Sequence, residues 1–470
     1  MGGKLRLRKA QMVLATMKRA NDQESPRMWR SQIKYSEAPR AQQSNANDPN
    51  TFCFKPLVFQ ELKSQPVYPS TTAQVPEPRS GHRIVCDDAN LYSFGGYLEV
   101  NTGFTLPTHI LQERHMQRLF EELWCYNFAE GQWKYLPTAG KAPKELASHS
   151  AILYGNYLIV FGGTGVPFGG SSSNKMNICD LRNLTWRTIE TTGEAPTPQY
   201  GQAVVLDSTK RSFYVIGGTT GYDYSMDIHK LDLTKRHWEK IFVSRGDSSE
   251  PQPRYRHEVA FDGDNIYILG GGTAREAYEL KTVPVFNLKD REWYMLKTKG
   301  SLSGRPNAPP RFPCPRKCQG SVQKGEEVFI CGGYDSKNIF LDLWKLHIPS
   351  MQWHFIPVKM PIPLYFHSTS ITTGGCMYIF GGVTHIKNNT RTNRVFKIWL
   401  TVPKLKEMCW EALLHYRKDI RQRSRSHLLN SGIPSEFVNR VHPAPPGGQA
   451  EATVEEKWES DIILMDDNEI

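Results

Sequence analysis

The chain has 470 residues, 39% hydrophobic and 11% aromatic, with 37 glycines. That composition supplies a sizeable core, excludes a disordered chain and suits an all-β protein with many turns. The formal charge of +11 is uneven: residues 1 to 48 carry +6, residues 401 to 440 carry +4 and residues 441 to 470 carry −7. With no nucleic-acid motif beside it, this charge reads as a solvated surface with basic arms and an acidic tail.

From the N-terminus, residues 1 to 48 are polar and basic with little strand pattern, and are expected to be a disordered arm. Met1-Gly2-Gly3 is followed by Arg6 where a myristoylation signal has Ser or Thr. No run approaches the ~18 apolar residues that cross a bilayer, and no signal-type apolar core opens the chain. Nine cysteines show no paired framework, so a soluble protein of a reducing compartment is expected, in the cytoplasm or nucleus.

The next segment, Phe52 to Lys63, is strand-like but stands before any repeat. An apolar strand ending in Gly-Gly then recurs six times, closing at Gly96, Gly163, Gly218, Gly271, Gly333 and Gly382. A tryptophan follows 20 to 23 residues after most pairs, as Trp186, Trp238, Trp293 and Trp353, while Trp133 follows the first pair later. The extra residues, about 97 to 122, read as a long insertion containing the charged run LQERHMQRLFEEL. Each unit opens alike, on His82, His149, Gln202, His257, Gln319 or His367. The sixth unit has no later strand bearing a tryptophan, so the segment Phe52 to Lys63 is expected to complete it and remove two open sheet edges.

This pattern over residues 80 to 400 resembles the kelch family. The resemblance implies a six-bladed β-propeller over residues 49 to 400, one four-stranded blade per repeat. It also implies that the diglycines, tryptophans and opening His or Gln residues are structural, not metal ligands. Glycine alone tolerates the positive φ and close approach such a turn requires.

Residues 403 to 420 break the β pattern and read as a helix, with Leu405, Met408, Cys409, Ala412, Leu413 and Tyr416 on one face. The spacing Leu405, Cys409, Leu413 resembles an elongin BC box, with Lys404 where the box usually carries Ser, Thr or Pro. Downstream, Ile433, Pro434, Phe437 and Val441 resemble a cullin-2 box, and the basic stretch between is a linker or a second helix. A propeller followed by both boxes is similar to the kelch-containing subunits of cullin-2 ubiquitin ligases. That resemblance implies a non-catalytic substrate receptor that docks on elongin B, elongin C and cullin-2 through residues 401 to 441. It further implies recognition of target proteins that end in glycine. Residues 442 to 470 read as a disordered acidic tail.

A terminal carboxylate is best met by arginine, whose planar fork donates two hydrogen bonds. On the loop face, the residues preceding the opening His or Gln are Gly81, Ser148, Gly201, Arg256, Cys318 and Phe366. The fourth unit places Arg254, Tyr255 and Arg256 together, with Arg275 after its diglycine. Arg256 and Arg275 are therefore expected to take the carboxylate, within a pocket that includes Arg254, Tyr255, Ser148, Tyr97 and Tyr334. Two other readings fit the sequence less well. A scaffold binding actin or a signalling protein would have no need of Leu405 and Cys409 at that spacing. An enzyme lacks support: no copper-radical set of His, Tyr and Cys can be assigned, Cys314 and Cys318 lack a second ligand pair, and no diglycine opens a phosphate-binding helix. No cofactor or metal is expected.

Overall fold

The computed structural model describes residues 51–64, 74–100, 116–301 and 310–442. The arm expected over 1 to 48 and the tail expected from 442 lie outside them, apart from His442, and so does much of the expected insertion. Six sheets, each with four antiparallel strands, form blades at residues 83–136, 150–189, 203–242, 258–297 and 320–359, with a sixth at 368–399 that takes its fourth strand from before the first repeat. Their first strands contact one another in sequence, and that of the sixth touches that of the first, closing a ring.

The second strands are mostly buried, Tyr157–Phe161 and Cys376–Phe380 along their whole length. They are covered on both faces, so they read as continuous apolar runs and not as alternating ones. The core is accordingly divided: six apolar clusters among the described residues each fill one cleft between neighbouring blades. Each repeat tryptophan bridges back to the preceding blade. Trp133 packs on Phe380, Trp186 on Phe94, Trp238 on Phe161 and Trp293 on Phe242, at 4.7 to 5.8 Å between ring centres, and the Trp353 Nε1–H donates to the Leu280 carbonyl at 3.0 Å.

The opening residues do the same with polar groups. The Gln202 and Gln319 amides donate to the carbonyls of Phe161 (2.9 Å) and Leu269 (2.8 Å) in the blade before, and His82 Nε2 lies 3.1 Å from the Phe380 carbonyl. Burial holds His149, His257 and His367 neutral, pulling each down to about 3, and pulls His82 well below its ordinary value.

Gln60–Leu62 pairs antiparallel with Val395–Trp399, Gln60 opposite Lys397, so a segment from before the first repeat completes the last blade. The strand is shorter than Phe52 to Lys63. Pro56 has no N–H to give, and Leu57 turns through φ 56°, still donating its N–H to the Trp399 carbonyl at 2.8 Å.

After the ring come three helices, α1 (Leu405–Tyr416), α2 (Arg425–Asn430) and α3 (Ser435–Val441), with a 3-10 turn at Ile420–Gln422. The basic stretch is thus partly a second helix, capped by the Ser424 hydroxyl accepting from the His427 N–H. No described helix is long and apolar enough to cross a membrane.

Candidate functional site

The six residues that precede the opening His or Gln have one conformation. Gly81, Ser148, Gly201, Arg256, Cys318 and Phe366 all have φ between 54° and 66°. Each donates its N–H to the carbonyl of its counterpart in the preceding blade, and Gly81 donates to Phe366, at 2.7 to 3.4 Å. The result is a closed ring of six backbone hydrogen bonds around the channel, on the face where the diglycines lie. Glycine enters the left-handed region freely, whereas a side chain there costs about 1–3 kcal/mol. Four of the six positions carry a side chain nonetheless.

Beneath this ring the channel is shut. Arg83 of the first blade and Glu258 of the fourth form an ion pair at 3.2 Å across it, and Arg83 Nε also donates to the His149 carbonyl. Burial pushes the Glu258 carboxyl up while Arg83 pulls it down. The space left beside Arg83, Glu258 and Cys318 is about 20 Å³, room for about one water. The mouth is therefore a pocket floored by the Arg83–Glu258 ion pair.

Arg256 lies across that mouth. Its guanidinium carbon sits 4.4 Å over the Phe366 ring, and one Nη donates to the Ser148 hydroxyl. Its Nε is buried with no hydrogen-bond partner among the described residues. Around it, burial pushes the hydroxyls of Tyr255 and Tyr334 up while the Arg256 charge pulls against it. Tyr97 leans against Phe168 at 4.8 Å. The structure thus gathers Arg256, Ser148, Tyr97, Tyr255 and Tyr334 at one mouth.

Two expected pocket residues are elsewhere. Arg254 is buried inside its blade, donating to the Gly270 carbonyl at 3.0 Å, and Arg79 and Arg316 do the same to Gly95 and Gly332. It is a repeat feature that braces the diglycine turn, and desolvation pulls its guanidinium down to about 10. Arg275 is exposed on the loop after the diglycine, and its side chain has no hydrogen-bond or ion-pair partner among the described residues.

Other residues were missed. Tyr200 and Tyr365 occupy the same repeat position as Tyr255, so an alignment of the units would have found them. Both belong to the mouth: burial raises each hydroxyl, with Arg256 pulling on Tyr200 and Arg391 on Tyr365. Arg391 is buried on the ribbon of Val383–His385 and Thr390–Arg391, 4.7 Å over the Tyr97 ring and bonded through Nε to the Ser80 hydroxyl at 2.9 Å. Nothing in the repeat marks that position.

The geometry offers no activated nucleophile among the described cysteines in contact with histidine. Cys331 and His367 are 3.7 Å apart, but burial raises the thiol to about 12 and lowers the imidazole to about 3, so neither ionises near neutrality. Cys314 is exposed while Cys318 is buried in the hydrogen-bond ring, so the two face different surroundings.

The tail helices sit at the opposite end of the blades. Arg440 of α3 forks onto Glu407 of α1 at 2.7 and 2.8 Å, approaches Asp88 at 3.7 Å, and its carbonyl accepts from Asn127 at 3.0 Å. Asp88 lies in a bend and Asn127 ends the strand Leu123–Asn127, both distal to the diglycines. Cys409, Leu413, Ile433, Phe437 and Val441 pack into the tail's own core with Trp410, which stacks on Phe437 at 5.1 Å. Pro434 precedes α3 as its N-cap. Leu405 differs from Cys409 and Leu413: it is 52% exposed, beside Val402 at 65%.

Comparison with known proteins agrees with this architecture. A family model described as the KLHDC2/KLHL20/DRC7 Kelch-repeats domain matches residues 42–271 and 244–432. The kelch domain-containing protein 10 of Xenopus laevis is 44% identical over 366 residues, covering 78% of this chain and 86% of that protein. The human protein of that name is also 44% identical, covering 78% and 80%. The Drosophila melanogaster homolog is 39% identical, covering 78% of this chain and 62% of its own length.

Proposed function

The chain belongs to the kelch-repeat family of protein-binding propellers, and on that premise we propose that it is the substrate-recognition subunit of a cullin-2 ubiquitin ligase. In this reading the mouth takes the C-terminal glycine of a target protein. The exposed Leu405 of α1 docks on elongin C, with elongin B and cullin-2 completing the assembly, and the chain acts in the cytoplasm or nucleus. Its role is to position a target, not to catalyse.

The observation that carries the reading is Arg256 lying over the floored pocket with an unpartnered buried Nε. A pocket shut from below by Arg83 and Glu258 admits a chain end but not a through-running segment. A carboxylate would supply the acceptor that Arg256 lacks, replacing its contact with Ser148, and the tyrosines would flank the last residues. Arg391 stands on the same face with its second Nη only 3.6 Å from Glu99. The distance between faces is also apt, because the mouth and α1 lie at opposite ends of the blades and a bound target leaves the helix free.

The test is fluorescence anisotropy with peptides that end in a free or an amidated glycine. A charge-assisted hydrogen bond is worth about 1.5–3 kcal/mol, so the amide is expected to bind about 10- to 100-fold more weakly. Arg256→Gly, which installs the residue that the first and third blades carry there, should reproduce that loss without strain at the left-handed position. Equal binding of the two peptides overturns the carboxylate reading.

A further inference from the structure

The linkers into blades two, three and five share a device. Ala139–Gly140 runs parallel to Thr185 and Trp186 on the outer edge of the second blade, and Thr192–Gly193 runs parallel to His237 and Trp238 on the third. Lys299 bridges in parallel to Gln352 on the fifth. These caps occupy outward-facing backbone groups. The N–H groups of Lys141 and Glu194 donate to the carbonyls of Trp186 (3.3 Å) and Trp238 (3.2 Å), and the Trp353 N–H donates to the Lys299 carbonyl (2.9 Å). All three caps read Thr-X-Gly in sequence. A Cβ on Gly140 or Gly193 would fall 2.2 or 2.3 Å from the tryptophan carbonyl oxygen, so only glycine fits.

Blade four departs from this. Its linker carries Gly246 at the corresponding distance before Trp293, yet a Cβ there would meet nothing within 4 Å. Glu250 folds the linker onto itself, its carboxylate accepting from the N–H groups of Arg245 (2.8 Å) and Gly246 (3.2 Å) and from the Ser244 hydroxyl (2.8 Å). The donors that could cap the blade are thereby satisfied locally. The outer strand Glu292–Lys297 pairs inward with Thr282–Asn287, and no described residue pairs with its other side. Tyr294, Met295 and Leu296 are 42%, 46% and 37% exposed on it. By equivalence with Trp238 and Trp353, the N–H and C=O of Trp293 point outward, and alternation points those of Met295 the same way.

A strand edge of six residues, four of them apolar or aromatic, that no described residue covers is a template for another strand. We propose that the outer edge of blade four is a strand-addition site that takes an extended segment of a partner protein, running parallel to Glu292–Lys297 with a glycine opposite Trp293. The chemistry of that segment is set by the three equivalent edges, which each accept Thr-X-Gly. The site lies on the circumference of the propeller, away from the mouth, and stands whether or not the mouth binds a carboxylate.

The test uses the full chain and a synthetic peptide with the sequence of residues 187 to 195, RTIETTGEA, which contains the cap of blade three. Saturable binding is expected, at least 10-fold weaker when the peptide glycine is replaced by valine. It should be lost in Met295→Pro, which removes an outward N–H but no inward ladder bond. Where that variant does not fold, amide exchange on the unaltered protein reads the same contact, with Trp293 and Met295 slowed by the peptide. Equal binding of the valine peptide, or no slowing of these amides, overturns the proposal. So does slowing without peptide: independent of protein concentration it makes the chain's own linker the occupant, and rising with concentration it makes a second copy the occupant.

Discussion

In the ring every device recurs. A His or Gln reaches the blade before, a tryptophan fills each cleft but the one whose blade is closed by Gln60–Leu62, and a left-handed residue passes one hydrogen bond to the next. In the tail each contact occurs once: Trp410 on Phe437, Arg440 on Glu407, Tyr416 accepting the Phe52 N–H at 2.8 Å. The difference teaches where to look for function. What recurs in the ring is structure, and function is to be sought where recurrence breaks, at Arg256, at the uncapped edge of blade four and at Leu405.

The largest effect expected from this contrast is on acid stability. His149, His257 and His367 have folded values near 3 because burial disfavours the cation, against about 6.5 unfolded. A depressed histidine favours the folded state fully above the unfolded value, and that contribution is lost as pH falls from about 6.5 toward the folded value. Each supplies a slope of about 1.4 kcal/mol per pH unit, so three supply about 4, enough to unfold a domain of ordinary stability within a few units. The ring should therefore lose stability steeply between pH 6.5 and 4 in urea titrations. His149→Gln, the residue that blades three and five use, should lower the slope by about one proton. An unchanged slope would show that the histidines are not the acid-labile element.

Next in size is the loss of a cleft. Trp238 is 1% exposed between blades two and three, with its Nε1–H donating to the Thr191 hydroxyl at 3.1 Å. Trp238→Ala should cost about 3–5 kcal/mol, read as a shift of the urea midpoint. Trp410→Ala, also buried, should loosen only the tail and leave the ring midpoint in place. If both shift the ring alike, the two regions unfold as one unit and the comparison fails.

The same contrast explains what could be read in the sequence. The six diglycine strands, the tryptophans and the need for an outside strand to close the last blade were legible because repetition multiplies each signal. Arg254 misled for the same reason in reverse. Its buried equivalents Arg79 and Arg316 stand at the same distance before the opening residue, but in PRYRH the two arginines are so close in sequence that only the fold separates them. Arg391 was illegible because its ribbon belongs to no repeat position, and the ion pair of Arg83 and Glu258 because its partners are three blades apart. In the tail, helical spacing placed Leu405, Cys409 and Leu413 on one face, but could not say that only the first faces out. Leu405 falls before the helices that cover the other two.

The smallest expected effect on stability separates that face most sharply. Leu405 is half-exposed, so Leu405→Ala should change the unfolding free energy by no more than about 0.5 kcal/mol. If α1 docks on elongin C through this side chain, the same change should abolish co-elution with elongin B and C. Cys409→Phe is the counterpart: it overpacks the tail core beside Leu413 and Phe437, at about 1–3 kcal/mol, so its loss of co-elution would come with loss of the helices. Circular dichroism of the two variants distinguishes a missing contact from a missing fold. Retained co-elution by Leu405→Ala would leave the tail as a brace for blades one and six, because Cys409, Leu413, Ile433, Phe437 and Val441 are already buried in its own core.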